Sequence, residues 1–319
     1  MFVNKLRWKI VWKFIFCSLF FSVQTSALEL DKNLQYEQVK SETFVGRLWL
    51  PETSSKRPAI LLIGGSGGGY ENQDAEWLSS LGFVVLNVRY FGVKGLPENL
   101  VNIPIEYFNS SIAWLNKNSH VKKNSIGLFG HSKGTEAAIL TAFYNPLVKA
   151  VVVRSPSSII WAGPGWSGLN ESSWSWNNEP LNFHSVGLID GGVWLSRVLL
   201  GKKLIKTRDM FNNVLGDEES VNKAMLPVEN MNAHLLLLSG KDDQQWPSTK
   251  MADMLVTILD KSNVNFNYKH FAFDKAGHRP ARLSKPDDTF ANGGTVQGNF
   301  MAHERTKVLV KEFFDTNLH

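Results

Sequence analysis

Ser132 stands in Gly130-His131-Ser132-Lys133-Gly134, between the apolar run Ser125 to Phe129 and a helix-forming stretch. A G-x-S-x-G at a strand-to-helix turn is a nucleophile elbow: the glycines let the chain hold the serine in a tight, strained turn with its hydroxyl projecting toward substrate. A serine hydroxyl alone is a weak nucleophile, so a histidine must take its proton and a carboxylate must hold that histidine in the right tautomer. With such an elbow the acid and then the histidine follow the serine along the chain. The strand Ala150 to Val153 ends in Arg154-Ser155-Pro156 without a carboxylate, whereas His234 to Ser239 runs into Gly240-Lys241-Asp242-Asp243. The acid is therefore Asp243 or Asp242, with Asp243 preferred because it falls three residues after the turn glycine. His278, in Asp274-Lys275-Ala276-Gly277-His278, is the expected base. His234 and His270 fall within strand patterns, His131 is expected to point away from the hydroxyl, and His303 lies in the C-terminal helical region.

An attacked carbonyl becomes an oxyanion, which needs backbone N–H donors already in place, each worth about 3 kcal/mol or more. Lys133, directly after the nucleophile at a helix N-terminus, is one expected donor. Ser66, with Gly65 close behind, is expected to supply the other from Gly64-Gly65-Ser66-Gly67-Gly68-Gly69. This run reads poorly as a phosphate loop, since no Gly-Lys-Ser/Thr follows and the G-x-G-x-x-G register breaks at Tyr70.

Residues far apart in sequence need a scaffold to bring them together. Strands are predicted at Phe44 to Leu50, Ala59 to Ile63, Phe83 to Tyr90, Ser125 to Phe129, Ala150 to Arg154, Leu235 to Ser239 and Asn265 to Phe273. Most are continuous apolar runs, as in strands buried on both faces of a parallel sheet. Helical periodicity separates them, for example Ile105, Phe108, Ile112 and Leu115, or Met251, Met254, Leu255, Ile258 and Leu259. Alternating strands and helices give a doubly wound α/β class with right-handed crossovers. Residues 157 to about 230 break the alternation: Trp161, Trp166, Trp174, Trp176 and Trp194 lie among Gly, Pro, Ser and Asn, with one short helical pattern near Val193 to Leu200. This segment reads as an insertion or cap over the carboxyl edge of the sheet, where such folds bind ligands. Trp161, Trp166 and Trp246 are candidates to line a substrate pocket, against the alternative that the tryptophans are cap core.

Lys5, Arg7, Lys9 and Lys13, the apolar run Phe14 to Val23 and small residues up to Ala27 read as an export signal over residues 1–27, ahead of one domain at 28–319. An uncleaved membrane anchor is the alternative. Cleavage would lower the formal net charge from +5 to about +1, which removes the electrostatic motive for nucleic-acid binding. It would also remove Cys17, the one cysteine, and with it any disulfide, thiolate metal site or cysteine nucleophile. No metal-ligand spacing stands out and no cofactor is expected. Arg154 could bind an anionic substrate group or simply form an ion pair.

The glycine run at 64–69, Gly82-Phe83-Val84-Val85-Leu86, Arg89-Tyr90-Phe91-Gly92, Leu96-Pro97-Glu98-Asn99, Ile105-Glu106-Tyr107-Phe108, the Ser132 elbow, Ala276-Gly277-His278 and Gly293-Gly294-Thr295 are the distinctive motifs. Together they resemble the C-terminal catalytic domain of the acyl-CoA thioesterase and bile acid-CoA:amino acid N-acyltransferase family, from about Pro58 to the C-terminus. The resemblance implies an α/β-hydrolase fold and maps the family's nucleophile, acid and histidine onto Ser132, Asp243 and His278. Larger members carry a β-sandwich ahead of this domain, where residues 28 to 57 here have room for a hairpin. The expected function is a serine acyl hydrolase acting on a small-molecule ester or thioester. The alternatives are acyl transfer to an amine and a non-catalytic acyl-ligand binding protein.

Overall fold

Apolar runs of five to seven residues become buried strands because each is covered on both faces by helices. The structure, a computed structural model, describes residues 36–164, 170–186, 206–279 and 292–318. The expected signal segment, Trp166, Trp194 and the helical pattern near Val193 lie outside these residues. The main sheet contains β1 (Glu37–Val39), β2 (Val45–Trp49), β3 (Arg57–Ile63), β4 (Val84–Arg89), β6 (Val121–His131), β7 (Val148–Arg154), β10 (His234–Gly240) and β11 (Tyr268–Phe273). Their spatial order is β1-β2-β4-β3-β6-β7-β10-β11. From β4 to β11 every pairing is parallel, while β2 runs antiparallel to both β1 and β4. The expected α/β-hydrolase architecture and N-terminal hairpin are therefore present.

The helices are α1 (Asn72–Ser80), α2 (Glu106–Lys117), α3 (Lys133–Tyr144), α4 (Arg208–Val214), α5 (Glu218–Lys223), α6 (Ser248–Lys261) and α7 (Val296–Asn317). The apolar stripe of α2 that was legible in sequence, Phe108, Ile112 and Leu115, is buried in the main core. Helix α7 lies so close to the sheet that a Cβ on Gly127 of β6 would sit 2.7 Å from Phe314 Cε1.

Two strand starts differ from the expected ones by three residues or more. Strand β6 starts at Val121, four residues early, because Val121 pairs with Arg57 ahead of an irregularity in the ladder. The exposed Lys122, Lys123 and Asn124 there hide the strand from a search for apolar runs. Strand β11 starts at Tyr268 instead of Asn265, and its edge position leaves a half-buried Tyr-Lys-His-Phe-Ala-Phe pattern.

The insertion carries more structure than its composition suggests. Strands β8 (Trp174–Trp176) and β9 (Glu179–Pro180) join β5 (Ile103–Pro104) in a second, three-stranded sheet. The short α4 and α5, not anticipated from sequence, close a satellite core of Ile159, Trp161, Leu215, Val221, Trp246 and Met251. Among the described residues no helix is long and apolar enough to cross a membrane.

Candidate active site

The turns that follow β3, β6, β10 and β11 all leave the carboxyl ends of parallel strands, so four segments distant in sequence meet at one rim. At the β6–α3 turn Ser132 has φ 53° and ψ −125°, a backbone conformation that side-chain-bearing residues rarely adopt. The flanking glycines make that turn possible. A Cβ on Gly130 would lie 2.5 Å from the Gly134 carbonyl oxygen, and one on Gly134 would lie 2.3 Å from that of Ile63. The Ser132 N–H donates to the Arg154 carbonyl at 3.0 Å, and its own carbonyl accepts from Thr135 N at 2.9 Å. The strained residue is thus pinned on both sides.

His278 Nε2 lies 2.9 Å from Ser132 Oγ, and its Nδ1 lies 2.9 Å from Asp243 Oδ2. His278 and Asp243 are 2% and 1% exposed, so both contacts are made away from bulk water. The loop after β11 is held by the His278 N–H, which donates to the Asn292 carbonyl at 2.7 Å, and by Ser155 Oγ, which donates to the His278 carbonyl at 2.5 Å. Asp243 also accepts from Gln245 N at 2.9 Å, Trp246 N at 3.2 Å and Ser248 Oγ at 2.7 Å. It therefore holds the turn that leads into α6 and orients the imidazole at once. Asp242 turns the other way, accepting from Gly294 N at 2.8 Å and from Gln244 Nε2. Of the two candidate aspartates, Asp243 is the one that faces the imidazole.

The glycine-rich turn approaches the hydroxyl closely. A Cβ on Gly65 would sit 3.0 Å from Ser132 Cβ and 3.5 Å from its Oγ. Ser66 is exposed at the next position, and Lys133 begins α3 directly after the elbow serine. Tyr90, which sequence reasoning quoted only as part of a motif, braces this turn: its buried hydroxyl donates to the Gly64 carbonyl at 2.7 Å and lies 3.3 Å from that of Gly65. Burial, reinforced by Glu136 and Glu71, raises the Tyr90 pKa well above that of a free phenol, so it remains a donor.

The Lys133 side chain is buried. Its Nζ pairs with Glu136 Oε2 at 2.8 Å and donates to the Trp161 carbonyl at 3.1 Å. Glu136 Oε2 also accepts from Trp174 Nε1 at 2.8 Å and Trp161 N at 3.2 Å. Glu136 is thus the buried tie between the elbow helix and the insertion. Burial lowers the Lys133 pKa and raises that of Glu136, while each charge opposes the shift of the other. Removing either partner would strand a buried charge at a cost of about 3–5 kcal/mol.

The His131 ring turns to Arg154, whose Nε donates to its Nδ1 at 3.3 Å, and its centroid lies 5.2 Å from that of His278. Burial, then the charges of Arg154 and Arg279, push its pKa well below that of a free imidazole, which leaves it neutral. Arg154 forms a two-pronged ion pair with Asp74, at 2.9 and 2.5 Å, which accounts for its charge without a substrate anion.

Trp161 and Trp246 are buried in the satellite core, with Phe211 between them at 4.8 and 6.0 Å. Trp161 Nε1 donates to Ser157 Oγ at 2.9 Å, and Trp246 meets the His278 ring edge-on at 5.6 Å. Both are cap core, and Trp246 also forms a wall of the site.

A second Ser–His–Asp chain shows why distances alone are not decisive. His270 Nε2 lies 2.8 Å from Ser239 Oγ, and its Nδ1 lies 3.0 Å from Asp253 Oδ1. Ser239, however, is fully buried within β10 and has no positive φ to project its hydroxyl. That chain pins β10, β11 and α6 together. Among the described residues no group of three or more His, Cys, Asp or Glu could hold a metal ion.

Residues 103–281 match the family model described as BAAT / Acyl-CoA thioester hydrolase C terminal. The chain is 31% identical over 205 residues to acyl-coenzyme A thioesterase 6 of Mus musculus, covering 63% of this chain and 43% of that protein. It is 27% identical over 221 residues to acyl-coenzyme A thioesterase 1 of Homo sapiens, covering 69% of this chain and 48% of that protein. It is 26% identical to acyl-coenzyme A amino acid N-acyltransferase 2 of Rattus norvegicus, covering 76% of this chain and 53% of that protein. The chain thus spans about half the length of these relatives. Among solved structures, an acylaminoacyl peptidase of Pyrococcus horikoshii superimposes with a TM-score of 0.58 at 16% identity, covering 92% of this chain and 43% of that one. An esterase of Pyrococcus furiosus does so with a TM-score of 0.55 at 15% identity, covering 90% and 92%.

Proposed function

Since the chain belongs to the BAAT / acyl-CoA thioester hydrolase C-terminal family, we propose that it is a serine acyl hydrolase acting on an acyl thioester. Ser132 Oγ attacks the carbonyl while His278 Nε2 takes its proton, and Asp243 holds the imidazole and stabilises the imidazolium. The oxyanion is met by backbone N–H groups of Lys133 and of Ser66 or Gly65. His278 then protonates the departing thiolate, and a water deprotonated by the same imidazole releases the acid from the Ser132 ester. The observation that carries this reading is the unbroken chain Ser132–His278–Asp243, with both links at 2.9 Å, beneath an elbow serine at φ 53°.

The test is thioester hydrolysis and covalent labelling by a fluorophosphonate, comparing wild type with Ser132→Ala. Turnover and label should both vanish in the variant, and a label that persists defeats the assignment. A second reading, transfer of the acyl group from Ser132 to an amine, is favoured by the N-acyltransferase among the relatives. Product analysis with glycine or taurine present separates amide from free acid. Export of the chain after cleavage following Ala27 is also proposed, from the N-terminal pattern. Sequencing the N-terminus of the purified protein, expected to begin at Leu28, checks it.

A further inference from the structure

The glycine-rich turn and the base leave the sheet at distant strands. In the spatial order, β6, β7 and β10 stand between β3, which leads into residues 64–69, and β11, which leads into His278. An attacked carbonyl is stabilised only while the N–H donors of the turn keep a fixed distance from the serine and its base. The segment after β11 must therefore be held where it crosses the rim. Ser155, at the end of β7, holds it by the His278 carbonyl. Toward β3 it is held by the next residue along, since Arg279 Nη2 donates to Glu71 Oε1 at 3.3 Å.

This pair differs from an ion pair on the surface. The Glu71 side chain is 8% exposed, so its charge depends on a partner, whereas pairs in solvent contribute little. Glu71 stands at the N-cap of α1, yet its side chain makes no capping hydrogen bond and faces Arg279 instead. The oxygen that meets Arg279 also presses on the first glycine of the turn: a Cβ on Gly64 would lie 3.3 Å from Glu71 Oε1 and 3.2 Å from Glu71 Cγ. Gly64 is thus gripped twice, by Glu71 against its Cα and by the Tyr90 hydroxyl on its carbonyl. At the other end of the pair, the Arg279 N–H donates to Asn292 Oδ1 at 2.6 Å, and the His278 N–H donates to the carbonyl of the same asparagine. The root of the guanidinium is therefore fixed together with that of the imidazole.

We infer that Glu71 and Arg279 are positioning residues whose ion pair latches the oxyanion turn to the segment that carries His278. The inference rests on the serine hydrolase reading and adds to it the contact that sets the distance between the base and the oxyanion donors.

Thioester turnover is measured for wild type, Glu71→Gln, Arg279→Gln, the double variant and Arg279→Lys. Inhibition by an alkyl trifluoromethyl ketone is measured beside it. The ketone carbon takes the Ser132 oxygen, the serine proton passes to His278, and the ketone oxygen becomes an oxyanion that needs the same donors. Each Gln variant should lose about tenfold in kcat and bind the ketone about tenfold more weakly, with KM within about twofold of wild type. The double variant should be no worse than the poorer single one, because both changes remove one contact. Arg279→Lys, which keeps the cation, should recover most of the loss. Single variants with wild-type kcat and ketone affinity overturn the inference, and so do losses that multiply in the double variant. If Glu71→Gln does not fold, the Arg279 variants decide: a loss in Arg279→Gln that Arg279→Lys fails to recover overturns it. Wild type that neither turns over the thioester nor binds the ketone defeats the hydrolase reading itself, an outcome distinct from active wild type with unmoved variants.

Discussion

Replacing Asp243 by asparagine tests the proposed site at the atom where sequence left two candidates. Asp243 Oδ1 accepts from two backbone donors, Gln245 N at 2.9 Å and Trp246 N at 3.2 Å, whereas Oδ2 faces Ser248 Oγ at 2.7 Å and His278 Nδ1 at 2.9 Å. An asparagine must keep its carbonyl on the two amides, so its NH₂ group falls at Oδ2 and points at the imidazole. Nδ1 must then accept. The proton moves to Nε2, which can no longer take a proton from Ser132, so the side chain stays in place with the wrong tautomer. Loss of the base in this way costs about 10⁴-fold in kcat, or about 5.5 kcal/mol. Asp242→Asn is the control, because Asp242 contacts Gly294 and Gln244 instead of His278. Its kcat should stay within about threefold of wild type, with a stability loss of about 1 kcal/mol. The assay is thiol release from an acyl thioester under saturating substrate, with the fluorophosphonate labelling rate followed in parallel. Asp243→Asn with near-normal turnover, or Asp242→Asn as the more damaging change, would refute the reasoning.

Tyr90→Phe removes the hydroxyl that donates to the Gly64 carbonyl at 2.7 Å; kcat should fall about three- to tenfold with KM little changed, which steady-state kinetics separates from a general loss of stability. Gly134→Ala would force a Cβ to within 2.3 Å of the Ile63 carbonyl oxygen, whereas a Cβ on Gly67 meets nothing within 4 Å. In urea denaturation the first should lose more than about 3 kcal/mol and the second about 0.5 or less. His131 is held neutral in the folded state by burial and then by Arg154, while the unfolded chain protonates near 6.5. A pKa depressed on folding makes the unfolded state bind more protons as pH falls, so stability should decline below about 6.5. His131→Gln should flatten that decline in denaturation midpoints taken at pH 8 and pH 5, and an unchanged slope would show that other groups cause it.

By itself the sequence determined the fold class, because strands buried on both faces must be apolar throughout, as in Ala59–Ile63 and Ala150–Val153. It also pointed to Ser132, since a G-x-S-x-G suits that tight turn, and to His278, from its place after the last strand. Where polar residues carry structure the pattern was silent. The start of β6 lies in Lys122-Lys123-Asn124, and α4 and α5 are too short for periodicity to register. Which aspartate faces the imidazole was decided only in three dimensions, because the two adjacent side chains in the turn point in different directions and Asp243 is the one that reaches Nδ1. The same holds for the Lys133–Glu136 pair: its i, i+3 spacing reads as a solvated helix surface until Trp161 and Trp174 close over it. Spacing along a chain encodes which side chains share a face. Burial and the direction of a hydrogen bond are set by what packs against that face, and that belongs to the folded molecule.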